Sequence, residues 1–599
     1  MRKTSAASAR VVLVAIVVAT GSCGGPFAAQ RASGSAQLAP SPTSSPVPCS
    51  PDDWPLRQSA SPRSARGMIT TDNALATRAG VEVLRAGGNA VDAAVAAAFV
   101  LAVAFPTAGN LGGGGFLVAR VDHASYALDF REVAPASATP TMYVGPDGIP
   151  THDSRVGWRS VGVPGSVAGL WEVWHKLGSK RPSWSELLRP AIDLAERGFA
   201  VDPPFAKTIS LAQEHLARFP ASAALFLPNG APPEPGTAWR NPQLASVLRR
   251  IAAEGPAGFY EGPVAEAIAR AMMEGGGLVT QADLKAYRAK WRPPVEYAYR
   301  GRHVIGMPPP SSGGVTIGIV AHLLSNWDLH GLGWHSAEHV HLAAEAMRRA
   351  FAARNASLGD PDFVTNPIGE LLSDTWAAQQ RASIRIDRAT PTEALFPGIA
   401  PPSSGGPHTT HMSVADAEGN AVALTTTLNA WFGSAVTVPG LGFVLNDEMD
   451  DFAIAPGTAN MFGLVQGVPN AIVAGKRMLS SMSPTIVLGP GDEPELVLGA
   501  AGGSHIITTV FEEMSNVLDF GMDLGDAVSA PRFHQQDLPD VLVFEPHGIP
   551  DAVRGALARM GHAMEETAHL ADAPAIGRVH DLWVGAAEPR REGSLALGL

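Results

Sequence analysis

Apolar and polar positions change period several times along this chain, and the changes mark its elements. Residues 11–19 form a short apolar run, with Arg2, Lys3 and Arg10 before it and Thr20, Gly21 and Ser22 after it. That is the layout of a secretory signal over residues 1–23, and the run is too short for a transmembrane anchor. Residues 73–105 are apolar almost throughout and break at Gly87-Gly88-Asn89, which predicts two helices meeting at a glycine turn. Asp92 within the second marks it as a helix of the protein core rather than of a membrane. A third helix is predicted over residues 337–354, ending in a turn at 358–363. Beyond residue 408 the period shortens to that of strands. Residues 409–416 and 421–429 are β-rich and joined by Ala417-Glu418-Gly419-Asn420, where Gly and Asn accept the positive φ of a hairpin turn. Further strands fit residues 485–488 and 496–499. Residues 373–407 fade into Thr, Pro, Gly and Ser and read as a surface loop.

Composition narrows the class. The 599 residues allow three or four domains or one large α/β unit, and 46% hydrophobic with 17% charged residues excludes a disordered chain or a coiled coil. With 63 glycines and 50 prolines the chain is rich in exacting turns. Four glycines in succession, Gly112 to Gly115, imply backbone packed closely against a neighbour; no Gly-Lys-Ser/Thr follows them, so a phosphate cradle is disfavoured. A net charge of −12 argues against a nucleic-acid partner. Only Cys23 and Cys49 are present, too few for a disulfide framework or a multi-cysteine metal site. Small residues before Cys23 suit a lipoprotein signal, but Thr20 stands where an aliphatic residue is usual, so lipid-anchored and soluble exported forms both remain open. Residues 24–66, rich in Ser and Pro, read as a disordered tether.

Standard catalytic motifs are absent: no Gly-x-Ser-x-Gly, no His-Glu-x-x-His, no clustered metal ligands, hence no metal and no cofactor. Hydroxyls remain. A Gly/Pro/Ser segment that stops abruptly at Thr409, the first residue of a strand, suits a nucleophile made by chain cleavage. Cutting the bond before Thr409 frees an α-amine beside the hydroxyl, and that amine, with a pKa near 7.7–8.0, serves as its base. The alternative from pattern alone is a solvent-facing Thr-rich strand.

The motifs around this position carry a resemblance. Thr409 to Asp416, Thr427-Leu428-Asn429, Phe432-Gly433-Ser434, Leu445 to Phe452 and Leu479 to Thr485 resemble the small subunit of gamma-glutamyltranspeptidases. Gly87 to Ala94, Gly112 to Phe116, Asp129 to Pro135, Pro309 to Gly314 and Leu358 to Phe363 resemble the large subunit; Pro531 to His534 and Glu588 to Gly593 also fit. The resemblance implies an α/β fold, a four-layer αββα sandwich of the N-terminal nucleophile hydrolase type. It also implies self-cleavage between His408 and Thr409 into a large subunit, 67–408, and a small catalytic subunit, 409–599, that form a heterodimer.

Residue by residue, the resemblance makes Thr409 the nucleophile, Thr427 its orienting partner, and Gly502 and Gly503 the source of the oxyanion N–H groups. Arg131, Ser480 and Ser481 would bind the α-carboxylate of a γ-glutamyl substrate, and Asn429, Glu448 and Asp451 its α-ammonium. The substrate is a small glutathione-like molecule, and the acceptor is water, an amino acid or a peptide. Phe462 falls in the lid region, where several bacterial members carry a tyrosine. Alternatives are a glutaryl β-lactam acylase or poly-γ-glutamate transferase of the same fold, and, outside enzymes, an uncleaved envelope binding protein. The expected location is the periplasm or cell envelope.

Overall fold

The computed structural model describes Trp54, Leu56, Arg57, residues 61–392 and residues 409–599. The expected leader, both cysteines, the bond before Thr409 and the loop at 393–407 lie outside the described residues.

Two seven-stranded antiparallel sheets carry the molecule. One runs, in spatial order, Leu595–Gly598, Gly67–Thr71, Thr409–Asp416, Ala421–Thr427, Gly114–Val121, Ala124–Phe130 and Lys290–Arg292. The other runs Arg63–Ser64, Leu582–Ala586, Ala575–Val579, Pro494–Leu498, Thr485–Leu488, Arg302–Gly306 and Val295–Tyr299. Successive strand residues point to opposite faces, so each interior strand feeds two cores. Leu117, Ala119, Met412, Val414, Val422 and Leu424 pack against the helices Ala74–Arg85 and Ala90–Ala104. Phe116, Val118, Ala415, Ala421 and Ala423 instead face the second sheet, whose far side is covered by helices Gly313–Leu324, Ala337–Ser357 and His505–Leu518. The result is the expected αββα sandwich.

Local chemistry explains the elements the pattern predicted. The two helices of the apolar stretch are Ala74–Arg85 and Ala90–Ala104, each capped by an asparagine. Asn89 and Asp92 form a reciprocal capping box, so the charge that argued against a membrane span satisfies a helix end. The expected hairpin forms, with Thr409 opposite Thr427 and Ala415 opposite Ala421. The glycine run lies against its second strand: a Cβ at Gly113 would stand 2.1 Å from the Thr427 carbonyl oxygen, and one at Gly115 would stand 2.4 Å from that of Thr425. Gly113 and Gly115 therefore let the Thr427 strand sit flush on its neighbour, while a Cβ at Gly112 or Gly114 would meet the carbonyl oxygen of Val444 or Phe130.

Two expectations need correction. The loop read over residues 373–407 begins with a helix, Asp374–Ser383, started by Ser373, whose side chain accepts from the Trp376 N–H. A weak apolar pattern hid it. The tether read over 24–66 is also too long. Trp54 is buried with its ring 5.1 Å from that of Trp334, Arg57 pairs with Asp526 at 2.8 Å, and Arg63–Ser64 joins a sheet edge. One aromatic side chain offers enough apolar area to dock a Ser/Pro segment that composition alone assigns to solvent.

Candidate active site

Thr409 opens an interior strand whose start is pinned from behind: the Thr410 hydroxyl and the His411 N–H both donate to Asp72 Oδ2, at 2.8 and 3.3 Å. Burial, together with the nearby charge of Asp572, pushes the Asp72 carboxyl up to about 7. Directly across the hairpin, Thr427 Oγ1 accepts from the Thr409 hydroxyl at 3.3 Å and from the Asn429 N–H at 2.9 Å.

A small cavity opens at this pair, lined by Arg131, Thr409, Thr427, Asn429, Glu448, Asp451, Ser480, Ser481 and Gly503 together with Phe462, Met482 and Ile506. Of the expected site residues only Gly502 does not line it. Gly502 and Gly503 stand just before the helix His505–Leu518, and their N–H groups have no intramolecular partner among the described residues. Unsatisfied N–H groups at a helix start suit an oxyanion. Gly503 has φ +60° and touches Phe462; a Cβ there would stand 2.3 Å from the ring.

The polar lining separates into donors and acceptors. Ser480 and Ser481 are cradled by the Pro309 to Gly314 motif. Ser480 N donates to the Pro310 carbonyl at 2.8 Å, Ser312 N and Oγ both donate to the Ser480 carbonyl at 2.7 Å, and Ser311 Oγ reaches the Met482 carbonyl at 2.6 Å. The Ser480 hydroxyl accepts from the Met482 N–H at 3.1 Å, which leaves its own proton to point elsewhere. The turn Glu448–Asp451 supplies carboxylates, and Asn429 spends its amide N–H on the Asp447 carbonyl at 3.1 Å, leaving its oxygen as an acceptor.

Arg131 joins the two halves. Its Nη1 lies 2.5 Å from Glu448 and its Nη2 2.5 Å from Asp451, while Nε donates to the Met478 carbonyl at 3.3 Å. The guanidinium expected to be free for a substrate carboxylate is thus shared with the residues expected to hold the ammonium, and its remaining N–H groups are what it can offer. Burial disfavours the Arg131 cation, but Glu448 and Asp451 outweigh burial and keep it charged. Burial raises both carboxyls, opposed by Arg131. Glu132, whose Oε2 lies 3.7 Å from Arg131, is pushed up to about 8 by burial.

Glu132, Asp72 and Arg354 belong to the site or its immediate support and were missed in the sequence. Glu132 stands beside Arg131 in the Asp129 to Pro135 motif, whereas Asp72 and Arg354 carry no local signal. Other motif residues serve elsewhere: Arg532 pairs with Glu588 at 2.9 Å and Asp362 with Arg292 at 2.8 Å, fastening loops outside the cavity lining.

Two stacked antiparallel sheets between helical layers, with a threonine at the head of an interior strand facing a bipolar cavity, define a hydrolase of the N-terminal nucleophile class. The chain belongs to the gamma-glutamyltranspeptidase family, whose model matches residues 76–598, and it is an enzyme of that kind. It is 44% identical over 545 residues to the glutathione hydrolase proenzyme of Pseudomonas sp. (strain A14), covering 89% of this chain and 94% of that one. It is 38% identical over 515 residues to the Acylase ACY 1 proenzyme of Pseudomonas sp. (strain SE83), covering 85% and 88%. The cephalosporin acylase structure from Bacillus halodurans superposes with a TM-score of 0.79 at 26% identity, over 94% of this chain and 98% of that one.

Proposed function

We propose that this chain is an exported, self-processing γ-glutamyltransferase and hydrolase that cleaves γ-glutamyl amides such as glutathione. The observation that carries this reading is the bipolar cavity itself. Hydroxyl donors at Ser480 and Ser481 and the acceptors Asn429, Glu448 and Asp451 line one cavity with Thr409, and Arg131 pairs with Glu448 and Asp451 within it. A γ-glutamyl head carries one carboxylate and one ammonium and needs both kinds of group.

In this reading Thr409 Oγ1 first attacks the carbonyl of residue 408, and the resulting ester is hydrolysed, freeing the Thr409 α-amine and separating chains 67–408 and 409–599. That amine then takes the hydroxyl proton while Oγ1 attacks the γ-carbonyl. Thr427 orients the nucleophile, and the Gly502 and Gly503 N–H groups hold the oxyanion. The γ C–N bond breaks, the proton passes to the leaving amine, and water or an amino group cleaves the threonyl ester. The basic-then-apolar opening supports export, and Cys23 is the anchoring residue if the protein is lipidated.

Brief incubation with γ-glutamyl-p-nitroanilide followed by acid quench is expected to leave the small chain heavier by one glutamyl group, mapped by mass spectrometry to its first residue. An adduct elsewhere, or none during turnover, would reject the threonyl intermediate. Gly503→Ala is expected to push Phe462 away and misplace the oxyanion N–H. Its kcat should fall about a hundredfold, or on the order of 3 kcal/mol, with KM little changed. A kcat within a factor of about two would place the oxyanion donors elsewhere.

The acylase reading is favoured by one specific feature: Phe462 brings an apolar ring, without a hydroxyl, over the Gly503 end of the cavity.

A further inference from the structure

Arg354 lies in the last turn of the helix Ala337–Ser357 and is wholly buried. Its guanidinium donates to neutral oxygens only. Nε reaches Ser312 Oγ at 2.9 Å, Nη1 reaches Asn355 Oδ1 at 2.7 Å and Gln466 Oε1 at 3.0 Å, and Nη2 reaches Ser481 Oγ at 3.3 Å. Arg131, Arg348 and Arg532 are buried to the same degree, and each faces a carboxylate at contact distance. Arg354 has no such partner among the described residues; Asp451 acts on it only at longer range. Burial lowers its pKa to about 10, which still leaves it charged at neutral pH. A cation buried among neutral groups is costly unless an anion arrives to meet it.

Its hydrogen bonds also set directions. A guanidinium can only donate, so the Ser481 oxygen must accept from it, and the Ser481 proton is left to point into the cavity that this residue lines. The Ser312 oxygen likewise accepts from Arg354, so its own proton goes to the Ser480 carbonyl. Gln466 accepts from Arg354 and donates its amide to the Asp451 carbonyl at 2.8 Å. One side chain therefore ties the serine side of the cavity to the acidic side.

We infer that Arg354 is a positioning residue for the α-carboxylate of the substrate, aiming the Ser481 hydroxyl at it and adding the positive charge that Arg131, engaged by Glu448 and Asp451, supplies only in part. The inference rests on the γ-glutamyl reading above. It accounts for a buried cation that fold stability alone does not require, because neutral side chains could bridge the same serines.

The test compares γ-glutamyl-p-nitroanilide with 4-aminobutyryl-p-nitroanilide, which is identical except that hydrogen replaces the α-carboxylate. In the processed enzyme, Arg354→Gln is expected to raise KM for the γ-glutamyl substrate about tenfold or more, with kcat within about threefold and KM for the 4-aminobutyryl substrate unchanged. Arg354→Lys should recover part of the loss. Ser481→Ala should show the same selective loss, and adding it to Arg354→Gln should cost less than the product of the two single effects. Equal losses on both substrates, a loss confined to kcat, or no loss would overturn the inference. If Arg354→Gln does not accumulate, Arg354→Lys decides: it keeps the charge but cannot span Ser312, Gln466 and Ser481 together, so a loss confined to the carboxylate substrate must remain. Failure of the γ-glutamyl reading would look different, because the unmodified enzyme would then show no preference for the γ-glutamyl over the 4-aminobutyryl substrate.

Discussion

Thr409→Ala is expected to yield one uncut chain, with no N-terminus at residue 409 on sequencing and with turnover down on the order of a millionfold. The Thr409 hydroxyl meets Thr427 at 3.3 Å at the mouth of the donor and acceptor groups. Alanine cannot attack the preceding carbonyl, so the α-amine that would activate the nucleophile never forms. Thr427 cannot replace it. Thr427 sits within a strand, has no α-amine to free, and its oxygen already accepts the Asn429 N–H. The fold should survive, because Thr409 contributes backbone to its strand and Asp72 still anchors Thr410 and His411. A denaturing gel, N-terminal sequencing and an anilide assay make the check. A Thr409→Ala protein that still splits at that bond without a host protease would remove self-cleavage from the mechanism.

The unmodified enzyme should prefer γ-glutamyl-p-nitroanilide to its glutaryl analogue by about ten- to a few hundredfold in kcat/KM. The cavity sets the cations Arg131 and Arg354 against the acidic groups of Glu448 and Asp451. A zwitterionic head adds no net charge to this balance. A glutaryl head adds an anion and no ammonium, leaving one negative charge uncompensated away from water. The preference is bounded because Arg131 already pairs with Glu448 and Asp451, so a missing ammonium does not strand them. Asp451→Asn removes one negative charge and one of the two acceptor oxygens that meet Asn460 at 2.9 Å and Arg131 at 2.5 Å. It should narrow the gap chiefly by lowering activity on the glutamyl substrate. Equal rates on both substrates in the unmodified enzyme would favour the acylase assignment.

Much of this arrangement was legible in the chain. The period change after residue 408 located the hairpin, and the structure sets its register, with Thr409 opposite Thr427. The glycine run announced a close approach, and the structure identifies its neighbour as the Thr427 strand. Short-range signals failed where a side chain's partner came from far away. Trp54 was read into a tether because the residues around it favour solvent, but it docks on Trp334. Arg354 is only the last position of a predicted helix in the sequence, yet it contacts Ser481, 127 positions further along.

By itself, then, the sequence determined the elements and the residue types capable of the chemistry, because these follow from periodicity and turn preference over a few neighbouring residues; the register that pairs the two threonines is seen only in the structure. The tertiary structure alone decided the charge balance of the site. Arg131 stands 320 positions from Asp451, and Arg354 reaches the serines from a different helix. Whether these charges neutralise one another or await a substrate depends on distances and burial that exist only once both sheets and their helices have closed around the cavity.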